Sequence, residues 1–285
     1  MGPMNSSPNP IRLSVSLVVY HSDLPRLLQT VDSLCESIRH AAAEGNLRAA
    51  SLVLVDNSED DAYATEVGEA VSRAVSSCPQ LAFTQLRAES NLGYGAAHNL
   101  ATRELDSDLH LVLNPDVELA VDSLALGIDD LVANSSTALL APRVLSGNGE
   151  QEFLCRRYPS VLVLVLRAFA PRFIQSLFSE ALADYEMRDI CRTEQRAVVP
   201  LASGCFMLLR TAALQAVQGF DSRYFLYFED YDLCQRLAAE GELIFQPRMS
   251  IVHHGGYAAR KGAGHVGMFI RSGLRFFRQY GWRWI

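Results

Sequence analysis

The chain has 285 residues, 49% of them hydrophobic and 20% charged, which suits one large α/β domain or two small ones and excludes disorder or fibrous repeats as the main architecture. Its 25 Lys and Arg against 32 Asp and Glu set a net charge of −7, which makes it a poor candidate for sequence-independent nucleic-acid binding, because that needs a basic footprint. Small polyanions stay within reach through a few arginines or a metal ion, and the mean hydropathy of +0.08 is slightly apolar.

Residues 1–10 are rich in Ser, Pro and Asn without an apolar stretch, and read as a disordered lead-in, not a signal peptide. Residues 13–20 (LSVSLVVY) form a β-rich run. The stripe Leu24, Leu27, Leu28, Val31, Leu34 and Ile38 predicts a helix after it, with Asp23 as its N-cap. A second strand over 51–55 is followed by a helix over about 60–76 and a third strand near 81–86. Residues 95–105 predict an Ala-rich helix and 109–113 (LHLVL) a fourth strand. This alternation points to a mostly parallel sheet covered on both faces.

Beyond about residue 147 the rhythm changes. Residues 153–187 are arginine-punctuated, aromatic and helix-prone, and 204–210 (GCFMLLR) read as a buried strand. A helix starts at Glu229 with Leu233 and Leu237 facing inward, and short strands follow near 243–245 and 250–252. The longest aliphatic run, 161–166, stops at Arg167, far short of the ~20 residues a spanning helix needs. No repeat or low-complexity linker separates the halves, so they are expected to share one sheet. The six scattered cysteines, without a CxxC pair, are expected to be buried, reduced small hydrophobes.

Ligands bind open parallel sheets at the carboxyl ends of the strands. Three polar clusters fall there: Tyr20, His21 and Ser22; Asp56, Asn57 and Ser58; Asn114, Pro115 and Asp116. Each alone is ordinary turn chemistry, but three in register favour a shared binding edge. Residues 91–99 (NLGYGAAHN) open a helix, yet they follow the third strand and lack the last glycine of a dinucleotide fingerprint. A loop whose glycines bring a ligand close to backbone, with helix-start amides favouring phosphate, fits better. Residues 225–234 (FLYFEDYDLC) place Glu229, Asp230 and Asp232 at a helix start behind an aromatic wall. Complementing the helix dipole explains one or two of these acids; a carboxylate beside aromatic surface also suits a general base with a raised pKa. His253 and His254 end a strand before two glycines, as metal-ligand candidates. Residues 269–284 combine Arg271, Arg275, Arg278 and Arg283 with Phe276, Phe277, Trp282 and Trp284. Such a helix either lies on an anionic membrane surface or packs its aromatic side on the body and solvates its arginines.

The ordered set VVYHS, LVDNS, NLGYGAAHN, LVLNPDV, GCFMLLR, FLYFEDYDLCQRL and HHGG resembles the family 2 glycosyltransferases, and among them the rhamnosyltransferases of bacterial surface polysaccharide synthesis. The match covers about residues 13–256. It implies a GT-A fold: a Rossmann-like, mostly parallel central sheet flanked by helices and continuous with a smaller acceptor-side part. On it, 11–146 would form the nucleotide-sugar-binding half, 147–265 the acceptor and catalytic half of the same domain, and 266–285 the basic aromatic helix. The implied reaction is an inverting transfer of a hexose, with L-rhamnose from dTDP-rhamnose as the favoured donor, to a hydroxyl of a growing surface glycan.

By position, the resemblance assigns Tyr20, Asp56, Asn57, Asn91, Gly93 and Asn114 to the nucleotide sugar. It makes Asp230 the general base, supported by Glu229 and Asp232. Asp116 is the surviving carboxylate of the acidic metal-binding motif, from which Asn114 departs, and His253 a further ligand, with His254 the alternative one register away. Mg²⁺ or Mn²⁺ suits such an oxygen-rich site, and with Lys261 the one lysine, a cation is favoured over a lysine clamp for neutralising the diphosphate. Residues 156–160 fall where these enzymes shape the acceptor side. Expected partners are the nucleotide sugar, a lipid-linked or oligosaccharide acceptor, and no nucleic acid. Peripheral contact at the inner face of the plasma membrane, a cytoplasmic location and a homodimer are compatible with the chain. A non-catalytic nucleotide-sugar-binding or scaffold protein on the same fold is the alternative, against which the retention of Asp116 and Asp230 argues. The missing glycine-rich turn after the first strand argues against an oxidoreductase or methyltransferase.

Overall fold

A computed structural model describes residues 11–103, 105–255 and 263–285. The lead-in 1–10, Gly256 and Lys261 lie outside the described residues. The first half follows the predicted alternation: β1 (Ile11–Val19), α1 (Leu24–Ala43), β2 (Leu47–Asp56), α2 (Asp61–Val75), β3 (Leu81–Arg87), α3 (Tyr94–Ala101) and β4 (Leu109–Leu113). Asp23 caps α1 by accepting the Arg26 N–H at 3.1 Å, and Asp60 caps α2 through the amides of Ala62 and Tyr63.

Next come β5 (Val117–Leu119), α4 (Ser123–Ala133) and β6 (Thr137–Ser146), none of which stands out in the sequence. Pro142 in the middle of β6 argues against a strand there. It is accommodated because its neighbour β10 (Glu242–His253) shifts register between Gln246 and Ser250, opposite it. That irregularity also joins the two short strands expected near 243–245 and 250–252 into one. The remaining elements are β7 (Gln151–Glu152), α5 (Val161–Phe169), α6 (Arg172–Leu177), α7 (Ser179–Tyr185), α8 (Arg188–Cys191), β8 (Ala197–Val198), β9 (Phe206–Arg210), α9 (Thr211–Ala216), α10 (Glu229–Leu237) and α11 (Ala263–Tyr280).

The strands form one ten-stranded sheet whose main order is β3-β2-β1-β4-β9-β6-β10-β5, with β7 on β6 and β8 on β10. Strands from both halves of the chain thus alternate within it. β1, β2, β3 and β4 are mutually parallel, β9 runs against both β4 and β6, and β10 is parallel to β6. Successive side chains leave a strand on opposite faces. In β9, Phe206 and Leu208 enter the core beneath α1, α2 and α4, while Met207 and Leu209 enter the core that holds Leu233 and Leu237 of α10. Both faces of the sheet are therefore covered.

One polar line crosses this apolar interior. Ser14 Oγ lies 2.7 Å from His110 Nδ1, and Ser16 Oγ lies 2.9 Å from His110 Nε2 and 2.7 Å from His98 Nδ1. Burial lowers both imidazoles to about 3, so they are neutral structural groups. The six cysteines are all buried and free. At the C-terminus, Phe276 and Phe277 of α11 are buried against Tyr224 and Phe228, so the aromatic side of this helix packs on the body. Among the described residues no helix is long and apolar enough to cross a membrane.

Candidate active site

Parallel strands end on one edge, and the polar clusters read from the sequence meet there. Tyr20 follows β1, Asp56 ends β2, and Asn114 follows β4 with its amide donating to Cys205 O at 2.9 Å. The reversed strand β9 begins at this edge, which brings Gly204 and Cys205 beside Asn114. His253 closes the row, paired with Val117 on one side and Ser146 on the other.

On the β2 side, the buried Asp56 accepts from Ser58 Oγ at 2.6 Å and faces the Arg87 guanidinium at 3.5 Å. Asn57 Nδ2 donates to Asn91 Oδ1 at 2.9 Å, and Asn57 Oδ1 accepts the Leu92 amide at 2.9 Å. Tyr20 stands half exposed beside them, its ring edge-on to His21. Gly93 has a reason other than the expected one. Its φ is +80°, and a Cβ there would lie 2.0 Å from Phe225 O. That same carbonyl accepts the Tyr94 amide at 3.0 Å. The glycine admits the chain's own backbone, and this helix-start amide is already taken.

Across the edge, α10 begins after two aromatic residues in the left-handed region, Tyr227 (φ 70°) and Phe228 (φ 66°). Such backbone costs on the order of 1–3 kcal/mol per residue and persists only where surrounding packing holds it. Here it delivers Glu229 and Asp230 to the floor of a cleft of about 650 Å³. Leu164, Arg167 and Phe169 of α5 and Val266 and Phe269 of α11 line its walls. Asp230 Oδ2 accepts the Gly204 amide at 3.1 Å and Oδ1 the Tyr231 amide at 2.9 Å. Burial raises the Asp230 pKa, opposed by these amides and by Arg156. Tyr94 donates its hydroxyl to Gly204 O at 2.6 Å, so one glycine links α3 to the Asp230 carboxylate. Neither Tyr94 nor Gly204 carries a signal of this task in the sequence beyond lying in a motif.

Glu229 is buried, and its Oε2 has no hydrogen-bond partner among the described residues. Burial and then the neighbouring Asp230 push its carboxyl up to about 8 from 4.5. The folded chain therefore holds a proton that the unfolded chain releases, so the stabilising contribution is complete below about pH 4.5 and is lost as pH rises through about 8. Glu229→Gln is expected to remove this decline, on the order of 2–4 kcal/mol, in urea unfolding compared at about pH 5 and about pH 9.

Asp232 parts from its two neighbours. Fully buried, it pairs with Arg236 at 2.7 Å and accepts from Tyr280 Oη at 2.7 Å and Gln279 Nε2 at 3.1 Å. Its carboxylate ties α10 to α11 and does not face the cleft. One helical turn separates acids that differ in surroundings this much.

The residues expected around a metal do converge. Asp116 Oδ1 is buried without a hydrogen-bond donor among the described residues, and His253 Nε2 lies 3.6 Å from it. His253 Nδ1 is held 3.2 Å from Glu152 Oε2, so a carboxylate orients the ring from behind. Asn114 Oδ1 is likewise buried and unpartnered among the described residues. His254 turns away to Glu118 Oε1 at 2.6 Å, which leaves His253 as the imidazole facing Asp116. Among the described residues no group of three or more His, Cys, Asp or Glu side chains is arranged to hold an ion alone. A hard cation that keeps waters and takes phosphate oxygens fits two protein ligands of this kind. Glu152 is the residue the sequence hid: it sits on a two-residue strand in an unremarkable loop.

No protein-family model matches the chain. It is 28% identical over 254 residues to the N-acetylglucosaminyl-diphospho-decaprenol L-rhamnosyltransferase of Mycobacterium tuberculosis, covering 82% of this chain and 77% of that one. It is 27% identical over 181 residues to the rhamnosyltransferase WbbL of Escherichia coli, covering 57% and 61%. Among solved structures it is similar to the mannosyltransferase PcManGT from Pyrobaculum calidifontis in complex with GDP-Man and Mn²⁺ (TM-score 0.59, 18% identity, 96% of this chain and 68% of that one). It is also similar to GalNAc-T7 with UDP, GalNAc and Mn²⁺ (TM-score 0.59, 13% identity), of which it spans 43%. The fold is that of the GT-A glycosyltransferases, as expected. The resemblance to rhamnosyltransferases and the reading of the chain as a hexosyltransferase are borne out with it.

Proposed function

We propose that the chain transfers L-rhamnose, with inversion, from dTDP-rhamnose to a hydroxyl of a lipid-linked glycan at a membrane face. The names of the two relatives support the sugar and the class of acceptor. The observation that carries the chemistry is the position of Asp230. It lies at the floor of an aromatic cleft and is bonded through Gly204 to the strand edge where Asn114 and Asp116 sit.

The acceptor hydroxyl enters from the cleft and gives its proton to Asp230 as its oxygen attacks the anomeric carbon. The bond from that carbon to the diphosphate breaks on the opposite side, and the nucleoside diphosphate leaves. Burial raises the Asp230 pKa and makes it a better base than an exposed aspartate, while its amide donors oppose that rise and favour the carboxylate. Glu229 stays protonated beside it and adds no second charge. Asp232 holds α10 in place from behind.

Tyr20, Asp56, Asn57 and Asn91 bind the nucleotide end of the donor, and Asn114 its sugar-phosphate end, in this reading. Asp116 and His253 would hold a divalent cation, Mg²⁺ or Mn²⁺, with Glu152 orienting the histidine. The chemistry such an ion supplies when bound is neutralisation of charge on the departing diphosphate.

Product formation by the purified chain across a panel of nucleotide sugars, with and without Mn²⁺ or Mg²⁺, tests the reading. Turnover with dTDP-rhamnose above all other donors is expected, and equal or absent turnover with every donor overturns it. A second measurement isolates the cation. Glu152→Gln is expected to weaken Mn²⁺ binding about 10–100-fold by calorimetry in the presence of nucleoside diphosphate, as lost outer partners of a ligating histidine do.

A further inference from the structure

The mouth of the catalytic cleft is bordered by two ridges of exposed apolar side chains. On α5 and α6, Val165, Phe169, Phe173 and Leu177 recur every four residues, and Phe173 and Leu177 are 68% and 75% exposed. On α11, Val266, Ile270 and Leu274 repeat the same spacing and stay exposed, on a side away from the buried Phe276. The ridges meet the cleft itself, because Phe169 and Val266 belong to its lining. Backbone bonds from Val161 N to Arg283 O (2.8 Å) and Leu162 N to Trp284 O (3.1 Å) fasten the chain end beside α5. This brings the exposed, stacked pair Trp282 and Trp284 to the same side.

We propose that these two ridges are the surface on which the enzyme docks to an anionic lipid bilayer, with the cleft mouth facing the membrane. Charge decides the occupant. Residues 161–178 and 263–285 together carry six arginines and no Asp or Glu, in a chain whose net charge is −7. Among the described residues, the exposed Arg172, Arg271 and Arg278 have no ion-pair partner. Apolar and aromatic side chains framed by unpaired arginines fit the headgroup boundary of an anionic leaflet, where the first insert and the second meet phosphate. A second copy of this chain would bring the same positive charge against itself. Membrane contact thus comes not from Phe276 and Phe277, which the body covers, but from the exposed row Val266, Ile270 and Leu274 together with α5 and α6. The proposal rests on the reading of a lipid-linked acceptor and deepens it: a hydroxyl held at the bilayer surface would reach Asp230 without leaving the membrane plane.

Flotation of the full chain with vesicles tests the surface without any sugar transfer, so its failure is distinct from failure of the proposed reaction. The chain is expected to float with phosphatidylcholine vesicles containing about 30% phosphatidylglycerol and to float weakly with phosphatidylcholine alone. Phe173→Glu and Ile270→Glu, which lie outside the cleft lining, are each expected to lower partition about tenfold or more. Val132→Glu, an exposed apolar site on α4, serves as the control and is expected to leave partition unchanged. Unchanged thermal melting and unchanged turnover of a water-soluble acceptor by the ridge variants would separate docking from folding. No flotation by the wild-type chain overturns the proposal, as does flotation that both ridge variants retain. A concentration-dependent dimer that Phe173→Glu dissolves, without vesicle binding, overturns it in favour of a contact between copies.

Discussion

Asp230→Asn is expected to lower the transfer rate by about 10²–10⁴-fold while leaving donor binding intact. The substitution keeps the shape and the Gly204 contact of the side chain but removes the group that takes the acceptor proton. Donor-induced thermal stabilisation should persist, because the nucleotide cluster around Asp56, Asn57 and Asn91 is untouched. The pH profile supplies a second readout. A base must be ionised, so kcat/KM rises with pH through the Asp230 pKa, and since burial raises that pKa, the limb lies above the ordinary 3.8. In Asp230→Asn the limb should vanish along with most of the rate. Full turnover in this variant would remove Asp230 from the chemistry.

Asp232→Asn, two residues on, is expected to act on stability. The buried carboxylate neutralises Arg236 and receives hydrogen bonds from Tyr280 and Gln279, so its loss leaves a part-buried guanidinium, with its Nη2 buried, without a counter-charge. Breaking a buried pair from one side costs about 3–5 kcal/mol, which for a chain of this size lowers Tm by roughly 6–15 °C. Below that temperature the remaining folded fraction should turn over at a rate close to wild type. Differential scanning calorimetry beside an activity assay separates the two effects. A large rate loss at unchanged Tm would place Asp232 in the reaction.

The contrast between these neighbours shows what a single chain can reveal. Glu229, Asp230 and Asp232 are one acidic run in the sequence, and complementing a helix dipole, which explains one or two of them, does not say which. Their division depends on residues 26 to 48 positions away: the Gly204 amide bonds Asp230, and Gln279 and Tyr280 bond Asp232. Gly93 is similar. Its place before a helix was legible, but the carbonyl of Phe225 that demands a residue without Cβ comes from a loop far along the chain. Glu152 had no legible signal, because it touches His253 only once β7 pairs with β6.

Local patterns travelled further for the scaffold. The runs that became β1, β2, β3 and β4 and the stripe of α1 needed only their own residues to be read, since period and capping are properties of neighbours along the chain. β6 failed that test because Pro142 forbids an ordinary central strand until β10 shifts opposite it.

The opening figures fare likewise. An acidic, slightly apolar composition pointed by itself to a chain with a large core and argued against a general nucleic-acid surface. Composition is a sum over residues, so it cannot say which apolar side chains find a partner. Packing alone decided that Phe276 and Phe277 are interior while Phe173, Leu177 and Ile270 face out, and that Arg172, Arg271 and Arg278 beside them have no acid partner among the described residues. Burial and charge separation arise between segments distant in sequence, which is why the tertiary structure, and not the order of residues, assigned them.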